Sequence, residues 1–85
     1  MQYTTEQNRI YLVRDGETLA EVTFPETAPG LFTIDHTFVD DRLRGQGVAA
    51  ELVSRAVEAI EARGGRVEAT CSYAAAWLRK HGRQA

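Results

Sequence analysis

Cysteine is nearly absent from this chain of 85 residues: Cys71 stands alone. A lone thiol excludes an internal disulfide and a thiolate metal cluster, so no metal is expected. Long apolar runs are missing as well. None approaches the roughly 18 residues of a membrane span, and the N-terminal MQYTTEQNR has no signal-peptide core, so a cytoplasmic protein without a membrane partner is expected. Nor is there a surplus of charge of one sign. Ten basic residues stand against twelve acidic ones, a net charge of −2, which excludes a globally basic nucleic-acid binder. Repeats, low-complexity tracts and linkers are lacking too, so residues 1–85 are read as a single small domain. What is present is an ordinary globular mixture, 44% apolar and 26% charged, which argues against disorder.

The N-terminal third reads as strands. Residues 9–14 and 17–24 flank Asp15-Gly16, a two-residue hairpin signature with positive φ in the turn. Pairing Arg14 with Glu17 sets Leu12 beside Leu19 and Tyr11 beside Ala20. That register predicts one face of Tyr11, Val13, Ala20, Val22 and Phe24, and another of Ile10, Leu12 and Leu19. The turn itself is expected to be structural and remote from any site. Residues 25–30 (PETAPG) read as a loop, and residues 31–39 as a third strand with Phe32, Ile34, His36 and Phe38 on one face. A helix follows, its apolar positions Ala49, Leu52, Val53, Ala56, Val57 and Ile60 at helical spacing, until Gly64-Gly65 stops it. Residues 66–70 suit a short strand returned in parallel by that helical crossover. Ser72 is the expected N-cap of a last helix over residues 73–81. The order is β-β-β-α-β-α, an α/β (α+β) fold whose sheet is mostly antiparallel, with one parallel crossover pair and two helices.

The segment with most chemistry is Arg42-Leu-Arg-Gly-Gln-Gly-Val-Ala49. Glycines between a strand and a helix let backbone N–H groups face outward. The helix start aims its free N–H groups and dipole at the same spot, an anion site suited to a pyrophosphate, with Arg42 and Arg44 beside it. The plainer alternative is a glycine-containing turn with solvated arginines. It is not a Walker loop, since no Gly-Lys-Ser/Thr follows, and it is not a G-x-G-x-x-G fingerprint, since Ala50 stands at the third glycine.

Residues 37–53, with Arg44-Gly-Gln-Gly-Val-Ala49 at their centre, resemble the acetyl-CoA-binding motif of the GNAT N-acetyltransferases, Gln/Arg-x-x-Gly-x-Gly/Ala. Residues 69–81, with Cys71-Ser-Tyr73, are similar to the minimal single-domain GNAT-like subgroup, and the likeness spans Tyr11 to His81. The resemblance implies a GNAT-like fold and transfer of an acetyl group from acetyl-CoA to an amine acceptor, a small molecule or a protein. It implies a cofactor site of Phe38, Val39, Arg44, Gly45, Gln46, Gly47, Val48 and Ala49. Relative to a full GNAT domain, two helices after the first strand and two C-terminal strands are missing. The glutamate base and tyrosine acid of many members have no clear equivalents. A module that binds CoA or acyl-CoA without catalysis is therefore the alternative.

Two residues are candidates for catalysis. His36 can take a proton near neutral pH, or it can be a hydrogen-bonded core residue among Phe32, Ile34 and Phe38. Cys71 precedes a helix N-terminus, where thiolate is favoured, and can be a nucleophile or simply line the pantetheine channel. Tyr73 and Trp77, at i,i+4, read as a packing pair. Tyr3 and the N-terminal tail receive no assignment.

Overall fold

Residues 2–83 are described by a computed structural model with seven strands and two helices. In chain order these are β1 (Thr4–Glu6), β2 (Arg9–Arg14), β3 (Glu17–Thr23), β4 (Glu26–Ala28), β5 (Leu31–Ile34), β6 (His36–Val39), α1 (Val48–Ala62), β7 (Arg66–Ala69) and α2 (Ser72–Lys80). A 3-10 turn over Asp41–Leu43 leads from β6 toward α1. The strands form two sheets, β1-β2-β3-β6 and β4-β5-β7, antiparallel throughout except for the parallel pair β5–β7. The α/β class, the crossover through α1 and the two helices are as the sequence led us to expect. The strands β1 and β4 fall in stretches read as tail and loop. Tyr3, beside β1, lies under the Arg55 guanidinium, 4.4 Å from its ring centroid.

Two strands depart from the expected pattern, each for a local reason. In the hairpin, Val13 pairs with Thr18 but Leu12 pairs with Ala20, so Leu19 is an extra residue on β3. Such a bulge turns the side chains beyond it to the other face. Ile10 and Leu12 therefore join Ala20, Val22 and Phe24 in the core, with Leu19 buried as well, and Val13 is left exposed. The predicted split of these residues between two faces is corrected accordingly.

The expected strand over 31–39 is broken at Asp35. Ahead of the break β5 pairs with β7, and after it β6 pairs with β3, so one stretch of chain serves both sheets. The strict alternation through His36 fails there. Phe32, Thr33 and Ile34 are buried in succession, whereas His36 and Phe38 are exposed. Thr33 is tolerated inside because its hydroxyl meets those of Thr27 (2.7 Å) and the Glu68 carboxylate (3.4 Å).

Helix α1 lies across both sheets and buries Val48, Leu52, Val53, Ala56, Val57 and Ile60. Each of the larger side chains contributes about 1.5–3 kcal/mol gross by leaving water. The start of α1 is thereby held rigidly over β6, next to the point where the sheets diverge.

Candidate functional site

The site grows from the break at Asp35. The Ile34 carbonyl accepts from the N–H groups of both Thr70 (3.1 Å) and Cys71 (3.3 Å), the last link between β5 and the chain leaving β7. Beyond it β6 turns away to β3, and among the described residues no ladder joins β6 to β7. A cleft opens there with Cys71 on one arm and Thr37 on the other, Sγ and Oγ1 3.6 Å apart.

The hydrogen bond from Asp40 N–H to the Leu19 carbonyl (2.8 Å) sets the phase of the β3–β6 ladder. With Phe38 opposite Glu21 and His36 opposite Thr23, these two residues direct their backbone groups at β3. Thr37 and Val39 direct theirs to the free edge, toward the cleft.

The same two residues line a groove of about 360 Å³ that runs along the loop and the first turn of α1, past Arg44, Gly45, Gly47, Val48 and Ala49. Gly47 is the N-cap of α1 at φ 74°, ψ 16°, a left-handed conformation that costs other residues strain. Glycine has no side chain with which to cap, so the N–H groups of the first turn stay available to a ligand, reinforced by the helix dipole. A Cβ built on Gly45 or Gly47 would meet no protein atom within 4 Å, so the space over the loop is open.

The two arginines divide their work. Arg42 is engaged by Asp40 (2.8 Å) and by Glu17 (2.7 Å), and Asp40 also accepts from the Arg42 N–H (2.9 Å). These bonds from the Arg42 side chain and then its N–H hold the Asp40 carboxyl at a pKa of about 2. Arg42 thus fastens the loop. Because Glu17 follows the hairpin turn directly, that turn is tied to the loop, contrary to the expectation that it is remote from any site. Arg44 lines the groove, and among the described residues its only side-chain partner is Asp41 (2.8 Å), in a highly exposed pair that solvent weakens. Of the two arginines, Arg44 is the one placed to meet an anion in the groove.

Cys71 is partly buried and is itself the N-cap of α2, one residue ahead of the expected Ser72. Burial pushes its thiol pKa up. The Ala74 N–H, the Thr37 hydroxyl, the Tyr73 N–H and the Thr37 N–H outweigh that and hold it below the ordinary thiol value. The helix N–H groups form no regular capping bond to the sulfur but face it closely enough to favour thiolate.

Of the expected cofactor residues, Val39, Arg44, Gly45, Gly47, Val48 and Ala49 line the groove. Gln46 does not, and its amide reaches back to the Arg42 carbonyl (3.4 Å). Phe38 is 39% exposed on the opposite face of β6. His36 lies on that face too, Nε2 3.6 Å from Glu21, which also accepts from Arg9. The break at Asp35 is what turns both away from the cleft. Sequence reasoning missed Thr37, Leu43, Ala50 and Tyr73 as lining residues. The period-two alternation of 36–39 held the signal for Thr37, once the phase change at Asp35 is known. Tyr73 does not pack on Trp77 as expected; it is exposed, and Trp77 stacks on His81 instead.

A family profile described as GCN5-related N-acetyl-transferase matches residues 9–85. Among solved structures, a GCN5-like candidate N-acetyltransferase from Staphylococcus aureus is 32% identical, with a TM-score of 0.77 over 94% of this chain and 79% of that one. An IAA acetyltransferase from Bacillus cereus is 22% identical (TM-score 0.67), over 86% of this chain and 52% of its own. The ribosomal-protein-S18-alanine N-acetyltransferase of Escherichia coli is 19% identical (TM-score 0.69), over 93% and 54%. The last two share the fold, and this chain spans about half their length. No curated protein matches the chain by sequence.

Proposed function

Since the chain belongs to the GCN5-related N-acetyltransferase family, we propose that it transfers the acetyl group of acetyl-CoA to an amine. The observation that carries this reading is an open groove at the start of α1 with a thiol beside it: Cys71 does not line the groove, but its Sγ lies 3.6 Å from the hydroxyl of Thr37, which does. The groove suits the ligand: uncapped N–H groups at the start of α1 and Arg44 match a pyrophosphate, and the free edge of β6 at Thr37 and Val39 matches the amides of pantetheine. Acetyl-CoA would supply the acetyl group as an activated thioester. A thiolate that has to stay reduced also favours the cytoplasm.

In the proposed reaction the Cys71 thiolate forms a bond from Sγ to the acetyl carbonyl carbon and expels CoA as its thiolate, which is protonated by solvent. The Thr37 hydroxyl steadies the Cys71 thiolate. A neutral amine then attacks the acetyl-Cys71 carbonyl, displaces Sγ and loses one proton, giving the amide and restoring the thiolate. His36, on the far face of β6, is given no step.

Mass spectrometry after incubation with acetyl-CoA should find a hydroxylamine-labile acetyl group on Cys71. Cys71→Ala should abolish transfer to an amine panel and leave CoA affinity within a few-fold. Full activity in Cys71→Ala without any adduct would replace this route by direct attack of the amine on the thioester. CoA binding with no transfer to any amine would make the chain a binding module.

A further inference from the structure

The chain takes in one extra residue at Asp35. The Thr33 N–H donates to the Pro25 carbonyl (2.9 Å) and the Asp35 N–H to the Thr23 carbonyl (3.2 Å), so the acceptor recedes by two as the donor advances by two. Continued, that phase would set His36 opposite Val22, Thr37 opposite Glu21 and Phe38 opposite Ala20. The ladder instead sets His36 opposite Thr23, Thr37 opposite Val22 and Phe38 opposite Glu21. Asp35 and His36 thus share Thr23, which is a bulge of one residue. The Thr23 hydroxyl also donates to the Asp35 carboxylate (2.5 Å). Because Asp35 faces Thr23 in either phase, that bond marks where the extra residue enters and does not choose the phase.

The choice decides what the cleft receives. In the regular phase Thr37 would turn to the far face, away from Cys71, and the backbone groups of Thr37 and Val39 would turn toward β3. The apolar pattern favours that phase. Phe32 and Ile34 are buried, and a strict period of two would carry Phe38 beneath α1, whereas it stands exposed on the far face. One residue opposes the shift. His36 would then face Val22, which is fully buried on the side that α1 covers, and an imidazole placed there without a polar partner is costly. In the bulged phase its side chain is 53% exposed, with Nε2 3.6 Å from the Glu21 carboxylate.

We propose that His36 is a positioning residue: its polar ring, kept in water beside Glu21, holds β6 in the bulged phase and so presents Thr37 and Val39 to the cleft. The effect on CoA rests on the reading of the loop groove given above. His36 touches no reacting atom. It acts through the register of the strand, and it does so from the face that the site does not use.

Nuclear magnetic resonance reads the phase without any ligand, from the cross-strand contact of Glu21: with Phe38 in the bulged phase, with Thr37 in the regular one. His36→Leu should move most molecules to the Glu21–Thr37 contact. His36→Gln, which stays polar, should keep the Glu21–Phe38 contact and hold CoA affinity within about twofold of the wild type. Adding Phe38→Ser to His36→Leu removes the apolar gain of the regular phase and should return Glu21 to its contact with position 38. Calorimetric titration with CoA supplies the second readout. Affinity should fall by the reciprocal of the bulged fraction, about tenfold when one molecule in ten remains bulged. Retention of the Glu21–Phe38 contact alone in His36→Leu, an equal shift of phase in His36→Gln, or a loss of CoA affinity at unchanged phase would each overturn the proposal. Failure of the wild type to bind CoA would instead overturn the reading of the loop groove, and the phase measurement would still decide the role of His36.

Discussion

Replacing Gly47 by alanine separates the conformational role of the loop from its proposed binding role. Gly47 caps the start of α1 at φ 74°, and Gly64 follows the end of the same helix at φ 74°; a Cβ at either meets nothing within 4 Å. The 15-residue helix between them puts the two sites about 22 Å apart. In each case the left-handed backbone costs alanine about 1–2 kcal/mol, and the stiffer unfolded chain returns about 0.4–1. A net loss near 1 kcal/mol lowers Tm by about 4–8 °C in a domain this small. With a total stability of about 4–13 kcal/mol for 85 residues, either variant stays more than about 99% folded at 25 °C. Unfolding therefore cannot account for any change in CoA affinity. If the first-turn N–H groups hold the pyrophosphate, misplacing one charge-assisted hydrogen bond costs about 1.5–3 kcal/mol, or roughly 10- to 150-fold in Kd, in Gly47→Ala alone. Thermal unfolding and calorimetric titration with CoA measure both quantities. Equal CoA affinity in the two variants, with equal losses of Tm, would refute the assignment of the pyrophosphate to this helix start.

Three further outcomes are expected. The alkylation rate of Cys71 by iodoacetamide should rise with pH and reach half-maximum below the midpoint of a free thiol, because the folded pKa is lowered; Thr37→Val should move the midpoint up, and an unmoved midpoint would remove Thr37 from the activation. Asp40 has its pKa lowered from 3.8 to about 2, so its contribution to stability is complete above the unfolded value and is lost as pH falls toward 2. Asp40→Asn should accordingly flatten the acid limb of stability between pH 4 and 2, seen as a smaller fall in Tm across that window. Gly65→Ala should lose about 1–3 kcal/mol by overpacking, since its Cβ falls 2.7 and 2.8 Å from ring carbons of Phe32 and 3.2 Å from Ile60, and a chemical denaturation midpoint equal to the wild type would contradict that packing.

The parts of this molecule governed by short-range rules were legible in the sequence. The spacing of Leu52, Val53, Ala56, Val57 and Ile60 located α1 and its buried face. Asp15-Gly16 located a turn, with φ of 52° and 78°. The glycines of residues 42–49 marked an open groove at the start of α1, and six of the residues expected to hold the cofactor line it. What could not be read was phase. An extra residue at Leu19 and a break at Asp35 each reverse the faces beyond them, and neither has a local composition that announces it. His36 and Phe38 were placed with the buried residues by a period of two that holds only within a single strand. The setting of Cys71 at a helix start was legible because its neighbours in sequence, the first residues of α2, are also its neighbours in space. Thr37, which meets it from 34 residues away, was not.

The bulge at Leu19 makes the site sensitive to residue count in a stretch with no chemistry of its own. The Leu19 carbonyl, on the extra residue of β3, receives the Asp40 N–H at the root of the loop, and the Glu17 carboxylate two residues earlier receives Arg42. The hairpin thus works as a gauge block for the start of α1. Lengthening the turn at Asp15-Gly16 leaves both anchors at the same distance from the shared ladder. Removing one residue between Thr18 and Ala20 would regularise the hairpin and present a different carbonyl to Asp40. The strand pairing would look more ideal, and the loop would hang one step out of place over the cleft. Regular strand geometry and the present placing of the loop over the groove are competing demands on β3, and this chain keeps the irregular strand.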